Sequence, residues 1–149
     1  MYELIRRRLN EIIPLNNLLG IEIVSIGDGV AQARLPFRTE LTNHIGTMHA
    51  TAIFGLAEAA SGSAMSGAFV PVILKIRAVA ITATVVFSKI VRGDLVAQAR
   101  VLMDSKVLQN TLESEGRVRF DVEVSVLDDA NTEVGRLTVT WQVSNKAAK

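Results

Sequence analysis

"NHIGTMHATAIFGLAEAASG", residues 43–62, decides how the rest of the chain is read. It carries both histidines of the protein, His44 and His49, and a single acid, Glu58, in a run of apolar and small residues. From residue 47 to 67 the pattern predicts one helix, with about two-thirds of its interior Ala, Gly or Ser. Small side chains let a neighbouring backbone approach closely, so this helix is expected to be wrapped tightly by a sheet. Packing alone does not account for Glu58, which sits between Ala57 and Ala59. An unpaired carboxylate in such surroundings is costly, so it has to be paired, protonated or in contact with a water-filled pocket.

The flanks supply the sheet. Upstream, Leu4, Ile5, Leu9, Ile12 and Ile13 recur at helical spacing, predicting an amphipathic first helix within residues 1–17 that ends near Pro14. "IEIVSI" and "VAQARLPF" follow as extended segments joined by Asp28-Gly29, a hairpin signal. Downstream of Pro71 the period changes to two. "AVAITATVVFSKI" and "DLVAQARVLM" are separated by the turn "VRGD"; "RVRFDVEVSVLD" and "VGRLTVTWQV" alternate apolar and polar residues and are joined by "DDANTE". Short connections imply antiparallel pairing. The expected class is α+β: a long central helix wrapped by one face of an antiparallel sheet, in a single domain spanning 1–149 with a frayed tail at 144–149.

Composition narrows the function. The chain has 149 residues and a formal net charge of +1, so nothing in it argues for nucleic acid or an anionic membrane as partner. The absence of cysteine removes disulfides, thiolate metal sites and a cysteine nucleophile; two histidines close in sequence could at most contribute to a metal site, and no structural metal is expected. No stretch has the uninterrupted apolar length of a membrane span or the apolar core of a signal peptide, and a soluble cytoplasmic protein is expected. No glycine-rich phosphate loop, nucleophilic serine motif or zinc motif is present.

Helix geometry constrains what His49 and Glu58 can do together. Nine residues correspond to roughly 900° of rotation and about 13.5 Å of rise. The two side chains then point to opposite sides, more than two turns apart, and cannot form an acid–base pair within one chain, which needs roughly 3 Å. A symmetric dimer with the central helices near its two-fold would bring Glu58 of one chain to the Asn43–Ala50 region of the other.

The positions Asn43, His49 and Glu58 resemble the signature of hotdog-fold acyl-CoA thioesterases, in the branch that includes the phenylacetate-pathway enzymes. In that branch Asn or Gln is followed six residues later by His-Gly-Gly, and nine residues after the His by Asp or Glu. "FSKIVRGDLVAQARV" resembles the family's Ser-to-Gly-Asp turn, and the similarity runs from about residue 18 to 143. The glycines are replaced by Ala50 and Thr51, which places the chain near a divergent, less characterised thioesterase-like group of the superfamily.

The resemblance implies a hotdog fold and hydrolysis of an acyl-CoA or related thioester, with coenzyme A part of the substrate and no separate cofactor or metal. It implies a homodimer or homotetramer in which the strands near residues 78–88 meet. Glu58 would activate water or attack the carbonyl, the Ala50 N–H would hold the oxyanion, His49 would position that amide, and Asn43 would hold water or thioester. Thr51 would line the entrance, and Lys89 and Arg92 would meet the phosphates of coenzyme A. Two alternatives stand beside this: a non-catalytic acyl-CoA-binding domain, and a hydroxyacyl thioester dehydratase. His44 reads as a loop histidine, Phe54, Met65 and Phe69 as core, and Arg117, Arg119 and Arg136 as surface.

Overall fold

The computed structural model describes residues 1–146. The chain opens with two short helices, α1 (Tyr2–Ile12) and α2 (Pro14–Leu19), in place of the one expected. They part at Ile13, whose extended backbone (φ −95°, ψ 100°) suits the residue before a proline. Pro14 then starts α2, where its missing N–H is no loss. No residue of α1 is fully buried.

The hairpin β1 (Glu22–Gly27) and β2 (Val30–Leu35) forms as expected around Gly29, at φ 66°. The long helix α3 spans Ala50–Ala68, followed by β3 (Ile76–Phe87), β4 (Leu95–Val101), α4 (Ser105–Glu115), β5 (Arg117–Leu127) and β6 (Glu133–Asn145). The strands form one antiparallel sheet in the order β1-β2-β4-β5-β6-β3. Helix α3 lies across it, packed most closely on β2 and β4. This is the hotdog arrangement that the sequence implies.

The structure corrects the expectation at four places. Helix α3 begins at Ala50 and not at Thr47, because Thr47 is buried and hydrogen-bonded to Asn43 while His49 takes the cap. β3 and β4 are not hairpin partners: β3 pairs only with β6, and β4 lies between β2 and β5. The segment between them is bound elsewhere, by Ser88 N–H to the Val134 carbonyl, by the Val91 carbonyl to Met48 N–H, and by the Asp94 carboxylate to Phe37 N–H. Helix α4 was not expected. Its apolar stripe is only Leu108 and Leu112, too thin to show as a period, although Asp104 caps it through Lys106 and Val107 N–H. Finally, β6 extends to Asn145 and Lys146 N–H bonds the Lys75 carbonyl, so the start of the supposed tail is held; 147–149 lie outside the described residues.

Two contacts fix where the site sits. Strand β1 is a sheet edge, and α1 covers it with polar groups: Arg6 Nη1 and Asn10 Nδ2 donate to the Ile23 carbonyl (3.1 and 3.0 Å), and Ile23 N–H donates to Asn10 Oδ1 (2.8 Å). On the other side of the hairpin, α3 approaches β1 so closely that a Cβ on Gly67 would stand 2.0 Å from the Gly27 carbonyl oxygen. Gly67→Ala should therefore lose stability by about 1–3 kcal/mol or more from overpacking, although alanine is favoured over glycine in a helix by about 1 kcal/mol. Urea unfolding measures this; an alanine variant as stable as the wild type would show that helix and hairpin can separate freely.

Candidate functional site

The loop that leads into α3 is held by its own side chains. Asn43 Oδ1 accepts from Ile45 N–H (3.2 Å), Thr47 N–H (3.1 Å) and the Thr47 hydroxyl (3.1 Å), while Nδ2 reaches that hydroxyl at 2.8 Å. Asn43 is thus engaged in shaping the loop, a turn role suited to its short amide. Gly46 takes a left-handed φ of 73° within it, and His44 is exposed.

His49 caps α3 with its ring: Nδ1 accepts from Thr51 N–H at 2.9 Å. That contact puts the proton of the neutral imidazole on Nε2. The Ala50 N–H, the first of the helix, donates to no acceptor among the described residues. An unpaired first-turn amide at the positive end of the dipole is suited to a developing negative charge. The Thr47 hydroxyl, which could otherwise cap the helix start, is occupied by Asn43. Arg92 reaches this loop, its Nη2 donating to the Ile45 carbonyl at 3.1 Å. Lys89 does not: it pairs with Asp128 at 3.1 Å on the β5–β6 turn.

Glu58 lies elsewhere. Helix α3 is continuous, so Glu58 stands eight residues past Ala50, about 12 Å along the axis. Its carboxyl makes no hydrogen bond or ion pair among the described residues, and desolvation by burial pushes its pKa above the ordinary value of 4.5. It borders a cavity of ≈240 Å³ whose other walls include Leu9, Ile13, Asn16, Met65 and Trp141. Larger hollows, of ≈480 and ≈500 Å³, lie on the sheet's outer face and beside α4, and neither contains any of the expected site residues.

Burial along α3 links the two halves. Every residue from Ala52 to Ala68 is buried except Phe54, Gly55, Glu58 and Gly62, which continue the exposed start at Ala50 and Thr51 as one helical stripe. The residues the sequence did not single out, Leu9, Ile13, Asn16 and Trp141, form the far side of the Glu58 cavity. The apolar spacing of Leu9 and Ile13 was visible; what they cover was not. Met65 is both buried, as expected, and a cavity wall, whereas Phe69 is pure core, stacked at 5.6 Å on Phe120.

A family described as a domain of unknown function, DUF4442, matches residues 2–143. The chain belongs to the DUF4442 family. No curated protein matches it. Among solved structures, it is similar to the Pseudomonas aeruginosa protein PA5026, described as of unknown function and "probable thioesterase", with a TM-score of 0.83 and 24% identity over 97% of this chain and 95% of that one. The Haemophilus influenzae thioesterase HI1161 follows at a TM-score of 0.77 and 18% identity, covering 99% of this chain and 93% of that one. The Escherichia coli PaaI protein, from the phenylacetic acid degradation operon, gives a TM-score of 0.74 and 18% identity, covering 96% and 91%. These likenesses show the hotdog fold. Among the described residues of this DUF4442 chain no group of acids and histidines is arranged to hold a metal ion, and no helix is long and apolar enough to cross a membrane.

The Glu58 environment has a consequence for stability. Because folding raises this pKa, the folded state is favoured while the carboxyl is protonated, and that advantage is lost as pH rises through the raised value. Glu58→Gln should therefore melt higher than wild type at neutral pH, and the difference should close as pH falls below about 4.5. Carboxylates held below their ordinary range, such as Glu3 by Arg6 and Glu133 by Arg136, are common to both proteins and cancel. Melting curves from about pH 3 to about pH 8, spanning both sides of the ordinary value, test this; a gap independent of pH would mean that Glu58 is not desolvated.

Proposed function

We propose that this protein hydrolyses acyl-CoA or a related acyl thioester, at a site shared by two subunits of a homodimer. The observation that carries the proposal is the open stripe of α3, with an unpaired Ala50 N–H at one end and an unpartnered, desolvated Glu58 at the other. The two are about 12 Å apart in one chain. An antiparallel second copy of α3, crossing near Phe54, sets Glu58 of each chain opposite Ala50 of its mate. A two-fold interface necessarily makes both such pairings at once.

The sheet offers the second half of that interface. β3 is an edge strand, and its Val79, Ile81, Val86 and Phe87 are 41–57% exposed. A long apolar edge left open is a template for pairing with another strand, and β3 meeting its own copy would cover it. Among the described residues no other strand pairs with this edge.

In the assembled site Glu58 takes a proton from water as that water attacks the thioester carbonyl. The oxyanion forms against the partner's Ala50 N–H, the carbon–sulfur bond breaks, and the thiolate recovers the proton. A raised pKa brings Glu58 nearer to operating pH, where a general base is most effective. His49 holds the first turn of α3 so that the Ala50 amide stays aimed outward. Asn43 holds the loop, Thr51 borders the entrance, and Arg92 provides positive charge for the phosphates of coenzyme A. Lys89, paired to Asp128, contributes less. A second reading is favoured by Ala50 and Thr51 themselves: side chains where the related pattern has glycines would suit a protein that binds acyl-CoA without turning it over.

Steady-state release of free thiol from a panel of acyl-CoA substrates decides between them. Glu58→Gln should lower kcat at least about a hundredfold while the dimer persists. Ala50→Pro deletes the donor at a first helical position that tolerates proline, and should lower kcat by about 10²–10³ with little change in melting temperature. A wild-type dimer that binds acyl-CoA but releases no thiol would establish the binding reading instead.

A further inference from the structure

The cavity beside Glu58 has a shape as well as a volume. Its α3 residues run from Glu58 through Gly62 and Met65 to Ser66. Glu58, Gly62 and Met65 stand at i, i+4 and i+7, so they follow one another along a single face. Eight residues of helix are about 12 Å long. The α3 side of the ≈240 Å³ cavity is therefore a row of residues about 12 Å long, with Glu58 at one end and Met65 and Ser66 at the other.

The walls agree with that shape. Gly62 has no side chain, which lets the Trp141 indole come in close and form the floor of the trough. The Trp141 indole lies against it: a Cβ on Gly62 would meet the ring at 3.3 Å, and Trp141 Nε1 is fixed by the Ser61 hydroxyl at 3.2 Å. Leu9 and Ile13 close the trough from the N-terminal segment, which is fastened to the Ile23 peptide by Arg6 and Asn10. Ser63 and Ser66 donate their hydroxyl protons to helix carbonyls, so they bring no free donor into the space. Asn16 is only 6% exposed, and its carboxamide makes no hydrogen bond to a described residue. Polar groups free to meet a ligand are therefore Glu58 and Asn16; the rest is lined by hydrocarbon, sulfur and indole.

We infer that this trough is the acyl-chain site, that it takes straight-chain acyl groups of medium length, and that Met65 is its end-stop. The inference rests on the thioester reading for the head of the ligand, with the carbonyl at Glu58 and the chain running within the same subunit toward Met65. A 150 Å³ apolar cavity holds a benzene-sized ligand. At that density ≈240 Å³ takes roughly eight to ten carbon atoms, which agrees with a trough about 12 Å long. Long-chain acyl groups overrun Met65.

Binding of non-hydrolysable S-alkyl-CoA thioethers, from ethyl to hexadecyl, tests this by calorimetry without requiring turnover. Affinity of the wild type should rise by up to about fourfold per methylene until roughly eight to ten carbons, then level off or fall. Met65→Ala removes the three outermost heavy atoms of the side chain and should move that break about two to three carbons longer. Ile13→Trp fills the trough and should abolish the chain-length dependence. Circular dichroism and sedimentation confirm that each variant is a folded dimer. A break unmoved in folded Met65→Ala, or wild-type affinity indifferent to chain length, overturns the inference. Thiol release that depends on Glu58 but is accompanied by no break would sink the trough alone. A clear break in a protein that releases no thiol would keep the trough and discard the hydrolase.

Discussion

A rigid rod of helix holds apart the two groups that the proposed chemistry needs together. Helix α3 runs unbroken from Ala50 to Ala68, so its free first amide and its single carboxyl cannot approach each other by any local movement. Everything proposed for the site follows from that separation: each chain carries half of two sites, and only a second copy completes either. The same separation explains why each half looks incomplete by itself. The loop half has a donor with nothing to receive it, and the Glu58 half has an acid with nothing to pair with.

The helix can play this part because it is made of small residues. Buried alanines and serines, and glycines at 62 and 67, let Trp141 and the Gly27 carbonyl approach within contact distances that a side chain would forbid. The sheet wraps around three sides of α3 and leaves one stripe uncovered, from Thr51 through Phe54 and Glu58 to Gly62. Closeness on the wrapped sides thus defines the site on the open one. The α1–α2 segment then narrows the lower part of the stripe, converting an open groove at Glu58 into a trough.

Much of this was legible from sequence. The small-residue run gave the central helix, period-two alternation gave β5 and β6, and the positions of Asn43, His49 and Glu58 led to the hotdog fold. Other features depend on contacts between distant residues and leave no local trace. Whether β3 pairs with β4 or with β6 depends on bonds that Ser88, Val91 and Asp94 make to β6 and to two distant loops. The role of the N-terminal helices is invisible for the same reason: an apolar stripe announces that something will be covered, and Ile23 and Glu58 reveal what. Asn43 shows the limit of motif reading. Its spacing matches the related pattern, yet here its amide is bound to Thr47, so what it does for the site it does through the loop. His49 likewise spends its ring on its own helix, accepting from Thr51 N–H.

The shared site is tested most directly by mixing two crippled chains. Ala50→Pro and Glu58→Gln are each expected to be nearly inactive alone, one lacking the oxyanion donor and the other the base. Co-expressed in equal amounts, they assemble at random, and half of the dimers contain one chain of each kind. In such a dimer one site carries both lesions and the other carries neither, so thiol release should recover to about a quarter of the wild-type rate. A mixture no more active than the average of the two separate variants would contradict the account, since it would place donor and base of each site on the same chain.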